Sequence, residues 1–140
     1  PFYKKIIFMF QKEVADRILA KPKTKQYGRL TILANYRLDI VKSFSISKNS
    51  FFPIPSVDSK VIVFKPKLNI RYKINNIKNL EYITNIFFGS KRKMINKAFA
   101  RIFKNHLIVS EKLKISLKLR PSDLSLDQYY KLAEYYESNK

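Results

Sequence analysis

Nine consecutive residues, Phe51-Phe52-Pro53-Ile54-Pro55-Ser56-Val57-Asp58-Ser59, set two aromatic rings beside two prolines spaced two residues apart. Proline fixes its own φ and pushes the residue before it into extended conformations. Phe52 and Ile54 are therefore held extended, and the loop loses little entropy when something docks on it. The chemistry on offer is stacking, a flat ring presented to a flat ligand. The same residues also suit a plainer role, a Pro-rich connection whose phenylalanines complete a core, because buried aromatics are common. Asp58 ends the loop and is expected to accept hydrogen bonds from backbone amides at the start of the next strand rather than to act as an acid or base.

A second group of residues is cationic. Lys91, Arg92, Lys93, Lys97, Arg101 and Lys104 recur at spacings that place them along a helix, where repeated cations can follow a phosphate backbone without reading its sequence. A solvated face would account for one or two of them. Arg29, after Tyr27-Gly28, either reaches toward phosphate or simply helps to start a helix. Glu13 is already explained by the preference for a carboxylate at a helix N-terminus.

Composition narrows the partners. The 140 residues carry 29 Lys and Arg against 10 acids, a formal net charge of +19, which favours a polyanion and makes binding salt-sensitive through counterion release. A bias toward Lys over Arg would not create that imbalance. The charge is uneven: the last 20 residues hold two cations and four acids, so the final helix is expected to face away from the polyanion. The absence of cysteine excludes disulfides, thiolate metal sites and thiol nucleophiles, and the single His106 cannot build a metal site alone. No apolar run approaches the ~18 residues that span a bilayer, so no membrane partner is expected. A hydrophobic content of 46% is ample for a core.

The elements that must position these groups follow from periodicity. Lys5 to Phe10 reads as a strand and Gln11 to Ala20 as a helix, with Val14, Ile18 and Leu19 at helical spacing. Tyr27 to Arg37 reads as a second helix. Asp39 to Ile46 and Ser59 to Phe64 read as strands flanking the Pro loop, the latter rich in β-branched residues. From Leu68 to Asn79 the chain is polar and without a clear period, which suggests a linker. Leu80 to Lys104 reads as a helix bent or interrupted at Gly89-Ser90, followed by helices near Ser110 to Leu117 and Leu126 to Ser138, the last capped by Ser125.

Four segments, Phe10-Gln11-Lys12-Glu13-Val14, Tyr27-Gly28-Arg29-Leu30, the Phe51–Ser59 loop and Ser90-Lys91-Arg92-Lys93, occur in an order and spacing that resemble the rRNA adenine dimethyltransferase family, whose members methylate two adjacent adenosines of small-subunit rRNA. The resemblance implies an α/β fold: the last strands of a Rossmann-like methyltransferase sheet over residues 1–67, a linker over 68–79, and a small all-α rRNA-binding domain over 80–140. It implies that Phe51 stacks on the extruded target adenine, with Phe52 as runner-up. Arg29 and the Lys91, Arg92, Lys93, Lys97, Arg101 and Lys104 cluster would contact the RNA. Small-subunit rRNA in the immature subunit is the implied partner, and the cytoplasm the implied compartment.

The family also has a Gly-rich turn for S-adenosylmethionine and an Asn-Leu-Pro-Tyr type catalytic motif, and neither occurs here. Only Gly28 and Gly89 are available. S-adenosylmethionine is therefore expected for the complete enzyme and not on this chain, which reads as the C-terminal portion and would be inactive without its N-terminal half. The opening strand would lie mid-sheet in a complete family member, so its free edge is expected to make the isolated chain poorly soluble or oligomeric. A noncatalytic RNA- or DNA-binding remnant, or a transcription-factor relative of the same fold, is the second reading. A lysine-rich ribosome-associated protein without enzymatic kin fits the charge but not the ordered motifs.

Overall fold

Strand β1 (Ile6–Gln11) runs directly into helix α1 (Lys12–Leu19) in the computed structural model, which describes residues 2–140. Helix α2 (Arg29–Ala34) and strands β2 (Leu38–Ile46) and β3 (Ser59–Pro66) follow, then helices α3 (Ile77–Phe88), α4 (Asn96–Ile102), α5 (His106–Leu113) and α6 (Leu126–Ser138). The sheet has three antiparallel strands in the order β1-β3-β2. Val61, Ile62, Val63 and Phe64 of β3 are all buried, as a central strand demands.

The register divides the sheet into two faces. Ile6 and Ile40 both pair with Phe64, and Phe8 pairs with Ile62; on this face Ile62 and Phe64 pack against Ala15 and Ile18 of α1. Met9 and Phe44 both pair with Val61 on the opposite face, where Ile7 is 65%, Met9 54% and Phe44 50% exposed. That second face is an uncovered apolar surface, and β1 is an edge strand among the described residues.

A larger core lies among the helices. Leu80, Ile83 and Phe87 of α3, Phe99 of α4, Val109 and Leu113 of α5, and Tyr129, Tyr130, Leu132 and Ala133 of α6 are buried together. Tyr27, Ile32 and Tyr36 from the α2 region enter the same cluster. Their phenols are satisfied over long sequence distances: Tyr27 donates to the Leu124 carbonyl at 2.7 Å, and Tyr130 donates to the Ile32 carbonyl at 2.6 Å. Burial pushes both phenols well above the ordinary tyrosine range, so each remains a neutral donor. Helix α2 thus bridges sheet and helices instead of belonging to the sheet alone.

Several expected boundaries shift. The span 80–104 is two helices, because α3 ends at Gly89 and the chain makes a turn before Ile95, whose N–H is taken by the Leu119 carbonyl at 2.8 Å. The helix expected near 110–117 lies at His106–Leu113, ended by Lys114 in the left-handed region at φ 56°. Ser125 caps α6 as expected, its Oγ accepting from the Gln128 N–H while Gln128 Oε1 accepts from the Ser125 N–H.

The polar stretch before α3 is held in place, and α3 begins within it at Ile77. Glu134 accepts from the Lys73 N–H at 2.6 Å, and Glu137 accepts from the N–H groups of Asn75 and Asn76 and from the Asn79 amide. Acids of α6 therefore clamp this segment. The Asn76 N–H, then the Asn79 amide and the Asn75 N–H, hold the Glu137 carboxyl below the usual carboxylate range. A folded value below the unfolded one stabilises fully above the unfolded value and is lost as pH falls through the folded one. Glu137→Ala is expected to cost about 1 kcal/mol near neutral pH, after allowance for solvent competition. The gap to the parent should close in acid; thermal melts across pH check this, and a gap that persists unchanged in acid excludes the clamp.

Candidate functional site

The Pro loop is closed by its own last residue. Asp58 Oδ1 accepts from the Lys48 N–H at 2.8 Å, ten residues back, and the Asp58 carbonyl accepts from the Lys12 N–H at 3.0 Å. Asp58 thus contacts backbone amides, as its type suggests, but at the loop's opposite end and at the β1–α1 junction. A short turn at Lys48–Ser50, whose Asn49 N–H donates to the Ser47 Oγ, delivers the chain into Phe51. The Phe10–Val14 segment and the Pro loop, separated in sequence, are joined by these bonds.

Within the loop Phe51 is half-buried, while Phe52 is 99% and Ile54 60% exposed. Both rings reach solvent, and one is backed by protein. The exit of the loop is pinned by Asp16, whose carboxylate takes Lys12 at 2.8 Å and also Lys60 of β3. Hydrogen bonding from Lys12, then Lys60, holds the Asp16 carboxyl below its ordinary value, so it stays anionic as a strut. Glu13 pairs with Arg17 one turn on, at 2.8 Å.

The cationic residues come together differently from a stripe along one helix. Lys91, Arg92 and Lys93 sit in the turn between α3 and α4, because α4 begins only at Asn96; Lys97 and Arg101 alone lie on α4, one turn apart. Arg92, Lys93, Lys97 and Arg101 nevertheless line one cleft of ≈ 570 Å³, with Phe87 and Ile95 among its apolar lining. No carboxylate lines that cleft among the described residues. A concentration of unneutralised cations over an apolar floor is suited to holding phosphate oxygens by charge, without selecting a base.

The family model for ribosomal RNA adenine dimethylase matches residues 1–138. The chain belongs to that family. It is 45% identical over 136 residues to the ribosomal RNA small subunit methyltransferase A of Pelagibacter ubique strain HTCC1062, covering 97% of this chain and 52% of the relative. It is 40% identical over 132 residues to the protein of the same name from Buchnera aphidicola subsp. Schizaphis graminum, covering 94% of this chain and 47% of that one. The dimethyladenosine transferase of Plasmodium falciparum superposes with a TM-score of 0.77 at 26% identity, over 99% of this chain and 58% of that chain. The 23S rRNA methyltransferase ErmE shares the fold, with a TM-score of 0.60 at 17% identity, over 98% of this chain and 56% of that chain. The chain spans about half the length of the curated relatives it matches.

In this member of the dimethylase family, the remaining cations stand apart from the cleft lining. Lys91 Nζ donates to the Lys25 carbonyl at 2.6 Å and fastens the 21–26 loop beside the turn. Lys104 is exposed just past the end of α4. Arg29 is exposed at the first position of α2, next to Gly28, where an added Cβ would touch the Phe88 ring at 3.9 Å. Arg120 is the cleft residue that sequence spacing misses: it lies 19 positions beyond Arg101 and arrives through the Ile95–Leu119 backbone bond. Its only local signal is the Arg-Pro-Ser-Asp turn, in which Asp123 accepts from the Arg120 N–H at 2.9 Å.

The family implies S-adenosylmethionine for the full enzyme, and the described residues do not fit it. Gly28 is an extended helix cap and Gly89 a right-handed helix end, so neither makes the tight glycine turn such a cofactor needs.

Proposed function

We propose that this chain is the substrate-facing portion of an S-adenosylmethionine-dependent rRNA dimethyltransferase acting in the cytoplasm on two adjacent adenosines of small-subunit rRNA in the maturing subunit. The observation that carries the reading is the presence, in one chain, of a closed, ring-bearing loop and a cationic cleft that no carboxylate lines among the described residues. Methyl transfer to an adenine amine is an in-line displacement that asks the protein to position the base and tolerate developing positive charge. Phe51 would stack on the extruded base; its half-burial gives it a fixed back and a free face. Arg92, Lys93, Lys97, Arg101 and Arg120 would hold the RNA backbone, with Lys91, Lys104 and Arg29 as outlying contacts.

On this reading residues 1–67 are the end of a Rossmann-like sheet, and the helices from residue 80 form the rRNA-docking part. The exposed Ile7, Met9 and Phe44 face is where the N-terminal half would pack. Reconstitution tests this. Mixing the chain with the N-terminal half of the Pelagibacter ubique relative and supplying labelled S-adenosylmethionine is expected to methylate immature small subunits, while either part alone is silent. A stable complex without methylation would favour a noncatalytic RNA-binding remnant instead.

A further inference from the structure

We propose that the groove at the far end of β3 is a second RNA-binding site, one that grips a single-stranded RNA segment through its phosphates and stacks a base on its tyrosines. The groove encloses ≈ 500 Å³, within the range of ligand-binding clefts, and forms where the end of β3, the residues before β1 and the 67–72 segment meet the first turn of α6. The eight-residue strand β3 separates it from the Pro loop by about 25 Å. It is therefore distinct from the adenine-facing site.

Lys4, Lys65, Lys67 and Arg71 line the groove together with Tyr3 and Tyr72. Two acids, Asp39 and Asp127, also line it, so four cations outnumber two carboxylates. Arg71 reaches Asp127 only at 4.0 Å, with both side chains well exposed, an ion pair weak enough for phosphate to displace. The Arg71 guanidinium already lies over the Tyr72 ring, 5.3 Å from its centroid. Lys67 is held deeper, donating to the Asn35 carbonyl at 2.6 Å with its ammonium 5.6 Å from the centre of the Tyr130 ring.

The floor is rigid. The buried Tyr36 donates to the Tyr72 carbonyl at 2.9 Å and accepts from the Ile74 N–H at 2.7 Å, which fixes the segment carrying Arg71 and Tyr72. Cations beside rings favour nucleic acid over an acidic protein segment, because a base can stack on a ring while its own phosphate pairs with a neighbouring cation. Tyr3, 49% exposed, has the free surface for that.

The proposal rests on RNA being the partner, and its test separates the two claims. Binding of a short fluorescein-labelled oligouridylate to the full chain is measured at several salt concentrations. The double variant Lys65→Ala/Arg71→Ala is expected to bind about tenfold more weakly at low salt, with the slope of log affinity against log salt reduced by about 1.4, two single-strand phosphate contacts. Lys65→Arg/Arg71→Lys is expected to restore both. Unchanged affinity and slope in the alanine pair overturns the second site while leaving the α3–α4 cleft untouched. If Lys93→Ala/Lys97→Ala also binds like the parent, the RNA-docking reading fails as well. Poly-glutamate binding the parent as tightly as oligouridylate, and losing as much in the alanine pair, also overturns the assignment. Both side chains are exposed, so the circular dichroism of the variants should match the parent.

Discussion

Phe51→Ala in the reconstituted enzyme is expected to lower methyl incorporation on the order of 10- to 100-fold, the worth of one base–aromatic stack, while rRNA affinity stays within about twofold. The asymmetry follows from what the ring does. On the proposed reading, backbone-directed cations would supply the affinity and one ring would orient one base, so its loss would be felt in turnover. Phe52→Ala is expected to change turnover by no more than about threefold: at 99% exposure Phe52 has no protein surface behind it, and a ring free to rotate positions little. Phe51→Tyr should retain most activity and Phe51→Leu should not, since leucine preserves apolar contact without a π face. Equal losses of turnover and melting temperature in Phe51→Ala would mean that the ring is core packing.

Removing the cleft charges produces the opposite pattern. The quadruple variant Arg92→Ala/Lys93→Ala/Lys97→Ala/Arg101→Ala is expected to bind structured rRNA about 100-fold more weakly at low salt. Its salt slope should fall by about 3 to 4, near one per lost duplex phosphate contact. Stability should hardly change, because these side chains are exposed and none takes part in an ion pair among the described residues. Arg120→Ala should deepen the loss, since Arg120 lines the same cleft. Lys104→Ala and Arg29→Ala should each cost less, as both stand outside it. Equilibrium binding across salt checks all of these, and a slope unchanged in the quadruple variant would exclude the cleft as the docking surface.

Much of the local structure was legible. Val14 and Ile18 fall at helical spacing, and α1 buries Ile18 against β3; the β-branched run at 61–63 is the central strand; Ser125 caps the start of α6. The misplacements have specific causes. Ile83, Phe87, Met94, Ala98 and Ile102 keep a helical rhythm across 89–95, and Gly89-Ser90 marked the interruption, yet the length of the turn is set by the Ile95 N–H bonding to Leu119, far along the chain. The asparagines near residue 76 resemble a loose linker because their partner, Glu137, lies about sixty residues away.

Residue types and order alone determined the family, the stiffness of the loop at Phe51–Ser59 and the chain's own strongly positive charge, because proline geometry, ring chemistry and net charge are properties of the residues themselves. Only the tertiary structure decided which cations share a cleft, that Arg120 joins them, that Asp58 closes its own loop on Lys48, and that a second groove opens beyond β3. Those are consequences of long-range backbone pairing, and a hydrogen bond between residues dozens of positions apart leaves no periodic trace in the chain.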